Sequence, residues 1–274
     1  MKTLRLGTRG SELALAQAKQ VSADLKAAHP DVEIEVVVIR TTGDERLDID
    51  LTNPGPLDKG LFTKELERAL LAGTIDAAVH SLKDLPVELP EGLVLGAVPL
   101  RADPSDVVVS KHRGGLDGLP ENACVATSSA RRAAMVSYFR PDLRIVAIRG
   151  NVPTRLRKLA EDPALDAVIL ARAGLDRLSS GVVPAGLFVE GDARILPAPG
   201  QGALGIECRA GDEETRQVLS AIHDEDTARC VHAERAMLAA LGGGCAVPLG
   251  ALGELINGRV VLRTLSFGEP SAGK

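Results

Sequence analysis

Over about the first 220 positions, short apolar runs rich in Val, Ile and Leu alternate with amphipathic stretches of helical period. This is the pattern of a parallel sheet covered by helices, an α/β architecture. It predicts strands at Leu4–Gly7, Ile34–Arg40, Ile75–Val79, Val94–Val98, Val107–Val109, Val125–Thr127, Ile145–Ile148 and Ala167–Leu170. Helices are predicted at Ser11–Ala28, Phe62–Leu71, Ala130–Phe139, Pro153–Ala160 and Glu213–Ile222. The pattern occurs twice with a break near Arg101–Ser105, so two related lobes with a cleft between them are expected. A further helix over Asp226–Leu241 and strands near Leu249–Leu252 and Val260–Leu265 predict a separate α+β unit. Between Thr41 and Lys59 periodicity is lost among glycines, prolines and charges. Loops of that length are usually lids, binding loops or disordered segments, and both a lid and plain disorder fit.

A chain of 274 residues suits two or three compact units. No apolar run approaches the roughly 20 residues of a membrane-spanning helix, and the N-terminus lacks the core and cleavage site of a signal peptide. The four cysteines, Cys124, Cys208, Cys230 and Cys245, are widely spaced, as for reduced thiols in a cytoplasm. An acidic net charge of −5, no tryptophan and one tyrosine give nucleic acid little to stack on. Of the 32 basic residues 9 are lysine and 23 arginine. That bias fits codon composition, or a chain that binds carboxylates through guanidinium forks.

The candidate chemistry sits where strands end. Gly7-Thr8-Arg9-Gly10-Ser11, Thr127-Ser128-Ser129-Ala130-Arg131-Arg132 and Arg149-Gly150-Asn151-Val152-Pro153 each follow a strand and open a helix. Helix N-termini at the carboxyl ends of parallel strands attract anions; ordinary capping beside solvated arginines explains any single cluster more readily, but three in register less so. Ala77 to Pro86 delivers a carboxylate, Asp84, beside Lys83. It is either a stabiliser of a cationic intermediate or a turn residue before Pro86. Gly242-Gly243-Gly244-Cys245 closes the long helix with a thiol that is either a small buried apolar group or an attachment nucleophile. Two motifs fail on context. Gly200-Gln201-Gly202-Ala203-Leu204-Gly205 follows prolines and precedes a strand-like run, unlike a dinucleotide-binding turn, and His232-Ala233-Glu234 lacks the cysteine pair of a zinc deaminase. No metal is expected.

Several runs together resemble the porphobilinogen deaminase family, also called hydroxymethylbilane synthases. They are Leu6–Leu15, Lys59–Glu67, Ala78–Pro86, Thr127–Arg132, Ile148–Arg155, Gly200–Ala203 and Gly243–Cys245, in the family's order. The resemblance implies two periplasmic-binding-protein-like doubly wound lobes, residues 1–101 with 198–218 and residues 102–197, plus a small α+β C-terminal domain at 219–274. It implies a dipyrromethane cofactor joined to Cys245 by a thioether and Asp84 as the catalytic carboxylate. Arg9, Ser11, Ser81, Lys83, Thr127, Ser128, Ser129, Arg131, Arg132, Arg149, Gly150, Arg155 and Arg177 match positions that hold cofactor and substrate carboxylates, and Lys59 and Phe62 match the lid. The implied reaction condenses porphobilinogen, with loss of ammonia, into the linear tetrapyrrole of heme biosynthesis, in a cytoplasmic monomer. Glu12 stands where the family commonly has proline, and Leu57-Asp58 where glycines are frequent. A two-lobed carboxylate-binding sensor explains the arginines but leaves Asp84 and Cys245 idle. The C-terminal unit is shorter than the family's and is expected to be the least stable part, with a mobile tail after Ser266.

Overall fold

A computed structural model describes residues 1–41, 63–178, 181–242 and 247–267. Lys59, Phe62, Cys245, nearly all of the expected lid and the tail beyond Phe267 lie outside the described residues. In chain order the first elements are β1 (Thr3–Thr8), α1 (Glu12–Ala28), β2 (Glu33–Val38), α2 (Lys64–Leu71), β3 (Ala77–Ser81) and β4 (Leu93–Ala97). A one-turn 3-10 helix, Leu82–Asp84, follows β3. Then come β5 (Asp106–Ser110), β6 (Cys124–Ala126), α3 (Ala130–Phe139), β7 (Arg144–Val146), α4 (Val152–Glu161), β8 (Ala167–Ala171), α5 (Arg172–Asp176) and β9 (Phe188–Gly191). The last are β10 (Leu204–Arg209), α6 (Glu213–Ser220), α7 (Glu225–Ala240), β11 (Leu249–Ile256) and β12 (Arg259–Ser266).

Two five-stranded sheets have equivalent orders, β2-β1-β3-β10-β4 and β7-β6-β8-β5-β9. Each is parallel except for β10 or β5, which runs antiparallel to both neighbours. This corrects the wholly parallel sheets that the apolar pattern predicts. The chain leaves β4 for the second lobe and enters it as β5, then returns after β9 and enters the first lobe as β10. Each crossing therefore inserts a reversed strand beside the lobe's own βαβ units. Central strands are buried on both faces, β5 along its whole length, and read as continuous apolar runs. The two crossing segments touch closely: a Cβ on Gly202, whose φ is +84°, would lie 2.6 Å from the Ala102 carbonyl oxygen.

The third unit is α7 against the β11–β12 hairpin. A Cβ at Gly253 would lie 2.8 Å from the Cys230 carbonyl oxygen, so glycine permits the hairpin's close approach to the helix. The unit rests on both lobes. Ala228 and Val231 join Leu82, Leu85 and Val98 in one apolar cluster, while Leu265 and Phe267 pack against the second lobe's core.

Candidate active site in the interlobe cleft

Ala77 to His80 are buried along β3, and the 3-10 turn that follows lifts Asp84 to an exposed position while Leu82 anchors the turn at 0% exposure. Ser81 Oγ accepts from Gln17 Nε2 at 2.8 Å, and Arg9, Gln17, Ser81 and Asp84 line one small hollow beside β1 and β3. Beneath the turn, His80 Nε2 lies 3.1 Å from Glu207 Oε2, both buried.

A chain of hydrogen bonds crosses from this turn to the second lobe. Lys83 Nζ donates to Gln201 Oε1 at 3.3 Å, and Gln201 Nε2 donates to Asp106 Oδ1 and the Pro104 carbonyl, each at 2.8 Å. Asp106, wholly buried at the start of β5, pairs with Arg131 at 2.7 Å and Arg132 at 2.6 Å. Arg132 also donates to the Ile169 carbonyl at 2.9 Å, and Arg131 to that of Leu196. Burial opposes ionisation of Asp106, yet the two guanidiniums and their hydrogen bonds outweigh it and hold the carboxyl well below its usual range. Burial also lowers the pKa of Arg131, but a guanidinium stays protonated regardless, so Asp106 is the member whose ionisation matters. Lys83 is brought down to about 8, first by burial, which prevails over the opposing charge of Asp84, with Arg132 and Arg131 adding to the lowering.

The other residues singled out divide by use. Ser11 and Ser129 accept helix N–H groups, from Ala14 at 3.3 Å and Arg132 at 3.4 Å, as N-caps do. Thr127 Oγ1 accepts from the Ser129 N–H at 3.2 Å, and Ser128 Oγ bridges the main chain of Ile148. Asn151 caps α4, and Gly150 before it has φ of +115°. Arg155 donates to the Gly150 carbonyl at 2.7 Å; burial and then the charge of Arg132 lower its pKa, which places it in the same basic neighbourhood. Arg177 donates to the Gly202 carbonyl at 2.8 Å, and its Nε is buried with no hydrogen-bond partner among the described residues. Arg149 lines a hollow with Arg144 and Lys158 along edge strand β7. Cys124, Cys208 and Cys230 are buried free thiols, and burial pushes all three up, Cys208 to about 11.

Three structural residues escape a reading of the sequence. Asp106 begins an ordinary apolar strand. Gln201 lies in the Gly200–Ala203 run that resembles the family, but nothing in that run assigns its side chain a partner. Glu234, from the discarded His232-Ala233-Glu234, is fully buried and grips Arg101 through both oxygens at 2.6 and 3.0 Å, while accepting the N–H groups of Gly200 and Gly253, each at 2.7 Å. In the sequence it is one acidic residue on a polar stretch of helix, with nothing to mark it as buried.

Comparison with known proteins decides what this arrangement belongs to. Residues 4–217 match the family model "Porphobilinogen deaminase, dipyromethane cofactor binding domain", and residues 228–267 match "Porphobilinogen deaminase, C-terminal domain". The chain belongs to the porphobilinogen deaminase family. A porphobilinogen deaminase of Syntrophobacter fumaroxidans is 50% identical over 267 residues, covering 95% of this chain and 83% of the relative. One from Desulforudis audaxviator is 52% identical over 260 residues, covering 95% and 82%. Among solved structures, the BenM effector-binding domain with its effector benzoate covers 88% of this chain and 94% of its own at 15% identity and TM-score 0.48, too slight a likeness to carry an inference.

The family's cofactor is dipyrromethane, whose acetate and propionate groups need cations. The cleft fits it on that ground: Arg177 has a buried donor without a partner, and Arg155 and Lys83 lie within the same basic neighbourhood.

Proposed function

We propose that this chain condenses porphobilinogen units head to tail into hydroxymethylbilane, with Asp84 as the carboxylate that faces developing positive charge. The observation that carries this is the exposed Asp84, set on a 3-10 turn and joined through Lys83 and Gln201 to a second lobe rich in arginine. In each cycle the aminomethyl C–N bond of protonated porphobilinogen breaks and its electron pair leaves with ammonia. A pyrrole carbon then supplies the pair for the new C–C bond and afterwards loses its proton, and at release water supplies the hydroxyl of the product. Asp84 holds the departing ammonium, stabilises the carbon cation and accepts or relays protons from its fixed place. Cys245 would hold the dipyrromethane, which when bound would supply the first pyrrole nucleophile. Arg9 and Ser81 bind carboxylates on the first lobe, and Arg131, Arg132, Arg155 and Arg177 on the second, each added ring bringing two more.

Sheet membership supports the division into residues 1–101 with 198–218, 102–197 and 219–274. The free thiols suit a reducing cytoplasm. No helix among the described residues is long and apolar enough to cross a membrane. We place the reaction in the cytoplasm, carried out by a monomer. Intact mass tests the tether. The purified protein should exceed its sequence mass by one dipyrromethane, and Cys245→Ala should abolish the excess while Cys124→Ala, Cys208→Ala and Cys230→Ala keep it. An adduct on Cys245→Ala would overturn the assignment.

A further inference from the structure

Arg235 leaves α7 and ends among four main-chain carbonyls of one short segment. Its Nη1 donates to Leu82 at 3.3 Å and Leu85 at 3.0 Å, and its Nη2 to Pro86 at 2.6 Å and Val87 at 3.3 Å. The residue is 8% exposed, and among the described residues no carboxylate pairs with it. Burying a guanidinium without a counter-ion is costly unless its donors are met, and here main-chain dipoles meet them. The acceptors flank Asp84 on both sides, so the planar fork holds the turn from behind while its carboxylate faces the cleft.

The residue before it fixes where the fork comes from. Glu234 ties the same turn of α7 to Arg101, Gly200 and Gly253. Neighbouring helix positions point about 100° apart, so the pair prevents α7 from rotating while gripping two separate parts of the first lobe. Cys245 follows this helix in the chain. One element thus holds the catalytic turn and leads to the tether.

We infer that Arg235 is a positioning residue: its fork on the Leu82–Val87 carbonyls fixes Asp84 relative to the unit that carries the cofactor. This rests on Asp84 facing the cation. Lysine cannot replace the fork, because an ammonium is a compact point charge without the planar reach to span four carbonyls.

The test is a double-mutant cycle on holoenzyme, with rates counted per adduct-bearing molecule by intact mass. Arg235→Met keeps the apolar stem and should lower kcat up to ~10²-fold, the effect of a misplacement of about 1 Å, while KM changes less than about threefold. Arg235→Lys should fall between it and the wild type. Combined with Asp84→Asn, Arg235→Met should add little, because the group it positions is already gone. A purely structural arginine would lower melting temperature and the adduct-bearing fraction but leave kcat per such molecule intact, and that result would overturn the inference. So would losses that multiply in the double variant, or failure of both Arg235 variants to fold. Near-normal turnover of Asp84→Asn alone would instead remove the reading of Asp84 on which the inference rests.

Discussion

At the carboxyl end of β3 the first lobe presents Asp84 in the open, whereas the matching end of the second lobe gathers Arg131 and Arg132 around a buried carboxylate, Asp106, with Arg155 nearby. The strand orders are equivalent, and in both lobes the strand inserted at the crossing runs backwards. Topology therefore fixes where side chains converge, and a few residues at the strand ends fix the sign of the charge there. One lobe is suited to a cation in the making and the other to the carboxylates that accumulate as the chain grows. Gln201 bridges the two through hydrogen bonds to Lys83 and Asp106.

The largest effect expected on this contrast comes from Asp106→Asn. Removing the anion leaves two buried guanidiniums facing each other, and breaking such a pair destabilises by about 3–5 kcal/mol. Urea unfolding should show that loss, while Asp84→Asn, at an exposed position, should unfold near the wild-type midpoint. The sign of the pH effect follows from the lowered pKa of Asp106. Its stabilisation is present above the ordinary carboxylate pKa of about 4 and is lost as pH falls below it. Similar midpoints for the two variants would mean that the buried arginines do not depend on Asp106.

A smaller effect is expected from Gln201→Leu, which leaves the Pro104 carbonyl without its donor and Asp106 with Arg131 and Arg132 alone. A buried group so abandoned costs about 1–3 kcal/mol. Unchanged stability would show that the bridge merely occupies space. The mildest expectation concerns pH. With Lys83 titrating at about 8, kcat/KM should fall as the ammonium deprotonates above that pH, and Lys83→Arg should flatten the profile. A decline that is the same in both enzymes would assign it to another group.

Much of this was legible in the sequence because apolar runs reveal buried strands and Ser, Asn and Asp reveal helix starts. Ser129, Asn151, Asp212 and Asp224 all accept the N–H of a residue in the first turn of their helices. Direction was not legible: Val107-Val108-Val109 is equally apolar in a parallel or an antiparallel strand, and only the crossing between lobes reverses it. Nor were the local hydrogen bonds of Ser11 and Ser128, whose oxygens meet the first turn of α1 and the main chain of Ile148. Glu234 and Arg235 were hidden for a related reason. Their partners are main-chain groups and Arg101, distant in sequence, and a helix with an acidic and a basic neighbour looks like a solvated face.

Steady-state kinetics of Asp84→Asn and Arg155→Met, each normalised to adduct-bearing enzyme, test the division of labour between lobes most directly. The account predicts that Asp84→Asn loses kcat by about 10²–10³-fold with KM nearly unchanged, as for a group that acts only in the transition state. Arg155→Met should instead raise KM while kcat stays within about threefold, as for uniform binding of carboxylates. The reverse pattern, with KM moved by Asp84 and kcat by Arg155, would contradict it.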